Sequence, residues 1–196
     1  MRETDELDII TQIRGRVKGS QEPTGENLFL VWGYPTVIFL LLEFVALKFW
    51  KAEWCDWIWI GIPVVGTPLM IHYLGIDYER TGRRTLDQNA ILQMWIFVGC
   101  VSCIGGLAMG FAGVFRQCFF TILSLLCSMG CFLTGVILRF SPKVICGTIA
   151  TTLSFVPLFF QDDLWLWQLP VAAFIFIIAL IIPGHMFKKY VKNYGV

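Results

Sequence analysis

Charge is what this chain has least of. Lysine, arginine, aspartate and glutamate make up 15% of its 196 residues while 57% are hydrophobic, and a water-facing surface normally needs about 25–35% charge. The shortage excludes a soluble enzyme, a nucleic-acid-binding domain and a disordered tail, and it leaves a membrane protein. Catalytic signatures are lacking too. The sequence has no P-loop, GxSxG or HExxH, and neither His72 nor His185 has a carboxylate or cysteine at metal-ligand spacing beside it. No metal, cofactor, catalytic residue or nucleic-acid partner is therefore expected. No short apolar segment with a small-residue cleavage site opens the chain, so no signal peptide is expected to be removed.

What is present is a series of uncharged runs at 27–42, 57–76, 88–115, 117–138, 144–161 and 164–187. A hydrocarbon core of ~30 Å needs about 17–25 helical residues, and the first run reaches that length by continuing past Glu43 to Leu47. The expectation is an all-α polytopic membrane protein. A six-transmembrane-helix bundle would occupy 28–183, after a cytoplasmic amphipathic helix and linker over 1–27 and before a basic tail over 184–196. Orientation follows from the bases. Arg2, Arg14, Arg16, Lys18, Arg80, Arg83, Arg84, Arg139, Lys143, Lys188, Lys189 and Lys192 fall on one side of such a bundle, and only Lys48, Lys51 and Arg116 on the other. That asymmetry puts both termini in the cytoplasm. Tryptophans at 50, 54, 57, 59, 165 and 167 crowd the opposite loops, as an interfacial aromatic belt would; a cage for a cationic ligand is the other reading.

Residues 4–18 read as a short helix with Leu7, Ile10, Ile13 and Val17 on one stripe, acids in its first turn and bases in its last. It suits the inner leaflet or a protein partner. The loop over 77–88 adds Arg80, Arg83 and Arg84 to that candidate docking face, and Thr85-Leu86-Asp87-Gln88 fits a capping box opening span three. Span two contains Pro63 and Pro68, which should interrupt its backbone ladder; spans five and six contain Pro157 and Pro170.

Small residues run down span three at Gly99, Cys103, Gly106 and Gly110, and down span four at Ser124, Cys127, Ser128, Cys131 and Gly135. Close packing within the chain is one reason for such stripes, and a homodimer seam through the GxxxG of span three is another. Cys100 and Cys103 have the spacing of an exchangeable thiol pair, but their mid-span depth favours cysteine as a small packing residue. Glu43 is the one acid inside a predicted span. A carboxylate in lipid costs at least about 2.5–3.5 kcal/mol, so it should face the bundle, be paired or be protonated. Arg116 is the candidate partner across the bundle. Glu43 is a proton or cation site on one reading, and on the other an acid near the outer interface that reaches water or a structural pair.

Leu28-Phe29-Leu30-Val31-Trp32-Gly33-Tyr34, Trp57-Ile58-Trp59-Ile60-Gly61-Ile62-Pro63 and Ile182-Pro183-Gly184-His185, together with the polar N-terminal helix, resemble a family of small uncharacterised multi-span integral membrane proteins of Bacteroidota. The resemblance implies a bacterial inner membrane and, because members are often encoded beside a winged-helix regulator, membrane-linked regulation. It supplies no site residues. Two functions are then in competition. One is a non-enzymatic signalling or assembly component with a cytoplasmic or membrane protein partner. The other is a small-solute or ion transporter with Glu43 as coupling acid, since six spans divide into halves of opposite topology with Pro-bearing spans two and five in corresponding places. A membrane enzyme built on Glu43, Arg116, Asp162 and Asp163 ranks behind both.

Overall fold

A computed structural model of the chain describes residues 24–50, 58, 61–81, 86–112, 116–160 and 162–194, and among these residues there is no strand. The helices are α1 (Thr24–Phe49), α2 (Gly61–Thr81), α3 (Leu86–Ala112), α4 (Arg116–Ile137) and α5 (Ser141–Leu153), which continues as a 3-10 turn at Val156–Phe159. A second 3-10 segment, Asp162–Trp167, leads into α6 (Gln168–Phe176), a π turn at Ile177–Ile181 and α7 (Ile182–Tyr194). The described residues are therefore all-helical in class, and each uncharged run overlaps a helix. Four segments are long and apolar enough to cross a membrane: Phe29–Phe49, Cys118–Ile137, Ser141–Phe159 and Leu164–Tyr190; Asn89–Gly105 is a shorter apolar stretch. The proposed 4–18 helix, with Leu7, Ile10, Ile13 and Val17, lies outside the described residues, as do Arg83, Arg84 and Thr85.

The core forms where α1, α4, α5 and the α6–α7 segment meet, with Leu40, Ala150, Leu169, Ala172 and Ala179 wholly shielded. By contrast Ile38, Val64, Phe97, Ile104, Ile145 and Phe174 project outward. Large apolar side chains on the outer faces of apolar helices are what a bilayer solvates and what water does not.

The tightest join is between α4 and α5. A Cβ on Gly135 would stand 2.7 Å from the Val144 nitrogen, and one on Gly147 would stand 2.6 Å from the Phe132 nitrogen, so each helix presses its backbone onto a glycine of the other. The turn between them lets the helices meet. Phe140 N–H donates to Gly135 O at 2.9 Å and Arg139 N–H to Val136 O at 3.1 Å, the double closure of a Schellman motif. Arg139 holds the left-handed position with φ 51°, where glycine is the usual occupant.

Proline acts according to its place in a helix. Helix α2 runs through both: Pro68, in its interior, has no N–H to donate to the carbonyl four residues back, so the ladder lacks a bond there as expected, whereas Pro63 is its third residue, where the missing N–H would have had no partner in the helix. Departures from α geometry fall instead near Pro157, in the 3-10 turn after α5, and before Pro183, where Ile182 N–H reaches back five residues to Ile177 O. Leu180 and Ile181 of that π turn lie 3.1 Å from a Cβ placed on Gly33 of α1. The altered turn thus sits where α1 approaches closely.

Candidate functional site

Contacts along the helices fix which ends meet. Thr134 of α4 receives a hydrogen bond from Trp95 of α3, Gly135 of α4 touches Lys143 and Val144 of α5, Gly184 of α7 packs on Phe29 and Leu30 of α1, and Trp32 of α1 donates to the Met70 sulfur of α2. The start of α1, the end of α2, the start of α3, the α4–α5 turn and α7 therefore lie at one end of the bundle. Among the described residues, two buried charged side chains, Lys143 and Glu43, mark the two ends.

At the first end Lys143 has no exposed surface. Counted in the sequence with the bases of an inter-span loop, it is instead the third residue of α5, because Pro142 starts that helix immediately before it. The N-terminal end of a helix dipole does not favour a cation; aromatic faces do. The Lys143 Nζ stands 3.3 Å from the centre of the Phe29 ring and 5.1 Å from that of Phe187. Phe29 meets Trp95 edge-on at 5.1 Å, and Trp95 Nε1 donates to Thr134 Oγ1 at 3.2 Å. Phe187 meets Phe140 at 5.1 Å, and Phe140 meets Tyr190 at 5.3 Å. One ammonium and its surrounding rings thereby connect α1, α3, α4, α5 and α7. The signal that could have found it is Ser141-Pro142-Lys143, a helix start that draws the lysine into the first turn.

On the outer side of the same end, the Tyr34 hydroxyl and His185 Nε2 are 2.6 Å apart, joining α1 to α7. His72 is exposed, with its ring 5.9 Å from that of Tyr73. Lys188 and Lys189 are exposed on α7, and Arg139 is exposed in the α4–α5 turn. Arg80 lies in the last turn of α2; of its side chain nothing is described.

Glu43 lies about 21 Å beyond Phe29 along α1 at the usual helical rise. It is 4% exposed, so it faces the bundle. Around it Phe44 packs on Trp167 at 5.6 Å, Lys48 stands 5.7 Å over the Phe44 ring, and the Gln168 amide donates to Phe160 O. Arg116 opens α4, but its side chain is outside the described atoms, and so is the expected pair.

The span-four stripe is packed into the protein: Ser124, Ser128 and Cys131 have no exposed surface, and the Ser128 and Ser154 hydroxyls meet at 3.4 Å. The span-three stripe is not enclosed in the same way. Nothing lies within 4 Å of a Cβ on Gly99, and Cys100 and Cys103 are exposed; the side-chain surroundings of positions 106 and 110 are not described. All six described cysteines are free thiols. Among the described residues no three histidine, cysteine or acidic side chains converge as a metal site would require.

Compared with known proteins, the chain matches no family model, no curated protein and no solved structure.

Proposed function

We propose that the chain is a six-span protein of a bacterial inner membrane, with both termini cytoplasmic, and that it acts as a signalling or assembly component through a protein partner rather than by catalysis. The observation that carries this reading is the gathering of Arg80, Arg139, Lys188 and Lys189 with the first turn of α1 at one end of the bundle. A cation-rich end is retained on the cytoplasmic side. There α1 continues from residues 1–23, whose sequence carries the apolar stripe Leu7, Ile10, Ile13 and Val17. The resemblance to small multi-span proteins of Bacteroidota agrees with this compartment. The test is mild crosslinking in the native membrane followed by purification, with a chain lacking residues 1–20 as control. A near-stoichiometric protein lost on truncation is expected; recovery of the chain alone would remove the reading.

A second reading, transport coupled to Glu43, is favoured by one observation, the burial of that acid within a membrane-length helix. Proteoliposomes carrying a pH-sensitive dye test it. Proton flux that Glu43→Gln abolishes at equal reconstitution would support it, and flux indifferent to the substitution would end it.

A further inference from the structure

Between α1 and α2 runs a groove of about 380 Å³. Its walls are one stripe from each helix: Leu30, Tyr34 and Ile38 on α1, and Val65, Leu69 and Tyr73 on α2. Those spacings of four residues hold one face of each helix toward the groove, and the walls extend for about 12 Å at ~1.5 Å per residue. The helices are antiparallel, since Trp32 reaches Met70 and Gly66 while Gly61 packs on Phe39. Tyr73 therefore lies at the Leu30 end and Val65 at the Phe39 end. The polar groups are all at one end: Lys188 of α7 lines the groove there, beside Tyr73 and the Tyr34–His185 hydrogen bond. Toward Phe39 the lining is hydrocarbon and aromatic ring only.

That gradient is the shape of an amphiphile. We infer that the α1–α2 groove binds an anionic phospholipid of the surrounding membrane, with an acyl chain along Ile38, Val65 and Leu69 and the phosphate at the Lys188 ammonium. Charge complementarity selects the headgroup: Lys188 supplies the cation at the groove, and the Tyr73 hydroxyl can donate to phosphate oxygen. The apolar floor selects a lipid over a free phosphate, which would leave the greater part of the groove unfilled. Basic pockets between membrane helices recognise anionic headgroups by this combination. The inference depends on the helices lying in a bilayer and is independent of whether a protein partner exists.

The experiment is native mass spectrometry of the full chain in mild detergent, titrated in parallel with dioleoyl phosphatidylglycerol and dioleoyl phosphatidylcholine. The expected preference for phosphatidylglycerol is at least about fivefold. Lys188→Glu should remove that preference, whereas Lys189→Glu, which changes the same charge outside the lining, should retain most of it. Leu69→Trp, which fills the apolar floor, should weaken both lipids. Lys188 is exposed, so its replacement leaves the packing of the bundle intact. Equal affinity for the two lipids in the unaltered chain would overturn the inference, and so would an equal loss from both lysine variants, which would reduce it to bulk surface charge. Self-association that displaces the lipid from the groove would assign the groove to a second copy of the chain and also overturn it.

Discussion

Helix α4 treats two of its neighbours, α5 and α3, differently. Toward α5 it offers Gly135 and receives Gly147, and the backbones approach until any Cβ would collide with main-chain nitrogen. Toward α3 the approach is by side chain: Trp95 lies over Gly130 and donates to Thr134, and Phe119 sits against Gly105. Helices α3 and α4 both carry small residues four apart, yet among the described residues close backbone contact is made between α4 and α5 and not between α4 and α3. A small side chain permits close approach; what enforces it is a reciprocal small residue at the matching height on the partner, together with a turn short enough to hold the register. Gly99 meets no such partner within 4 Å.

The largest test of that contrast is Gly147→Leu. It forces a side chain into the Phe132 backbone and should cost about 3 kcal/mol or more, read as a lowered unfolding free energy in mixed detergent and dodecyl sulfate micelles. Lys143→Ala comes next. Removing a buried ammonium and its stem leaves a void under the Phe29 and Phe187 rings, with an expected loss of about 2–3 kcal/mol, and Lys143→Met, which restores the volume, should recover part of it. Arg139→Gly works the other way. Relieving a non-glycine residue at φ 51° should stabilise the hairpin by about 1 kcal/mol, seen as a higher midpoint in the same titration. The smallest effect belongs to Gly99→Ala, within about 0.5 kcal/mol; a loss comparable to that from Gly147→Leu would mean that α3 does have a close partner and would erase the contrast.

Reading the sequence located the helices, because hydropathy is a property of each segment and needs no knowledge of neighbours. The all-α class, the burial of Glu43 and the burial of the span-four stripe follow from that kind of information. Lys143 did not yield to it. Position near the end of an uncharged run assigns a base to a loop, whereas the rings that favour a buried ammonium here come from α1, over one hundred residues to the N-terminal side, and α7, more than forty to the C-terminal side. Pro63 and Pro68 differ from each other for a related reason. Their effect depends on where the first turn starts and on what α1 offers alongside, neither of which a local motif contains. The π turn before Pro183 likewise lies where a second helix, at Gly33, comes close. The candidate site is thus written in pairs of segments, while the span pattern is written in single ones.

The central proposal is the six-span arrangement with the basic end in the cytoplasm, and the helices it adds to the four membrane-length apolar segments are α2 and α3. The direct measurement is to insert alkaline phosphatase, and separately green fluorescent protein, after Arg83, with the same reporters after residue 196 for comparison, and to read both activities in intact bacteria. If α2 and α3 both cross, position 83 lies on the same side as the C-terminus, fluorescence is bright and phosphatase is silent at both sites. Active phosphatase after Arg83 with fluorescence retained at the C-terminus would show that α2 and α3 do not cross, leaving four spans and contradicting the account.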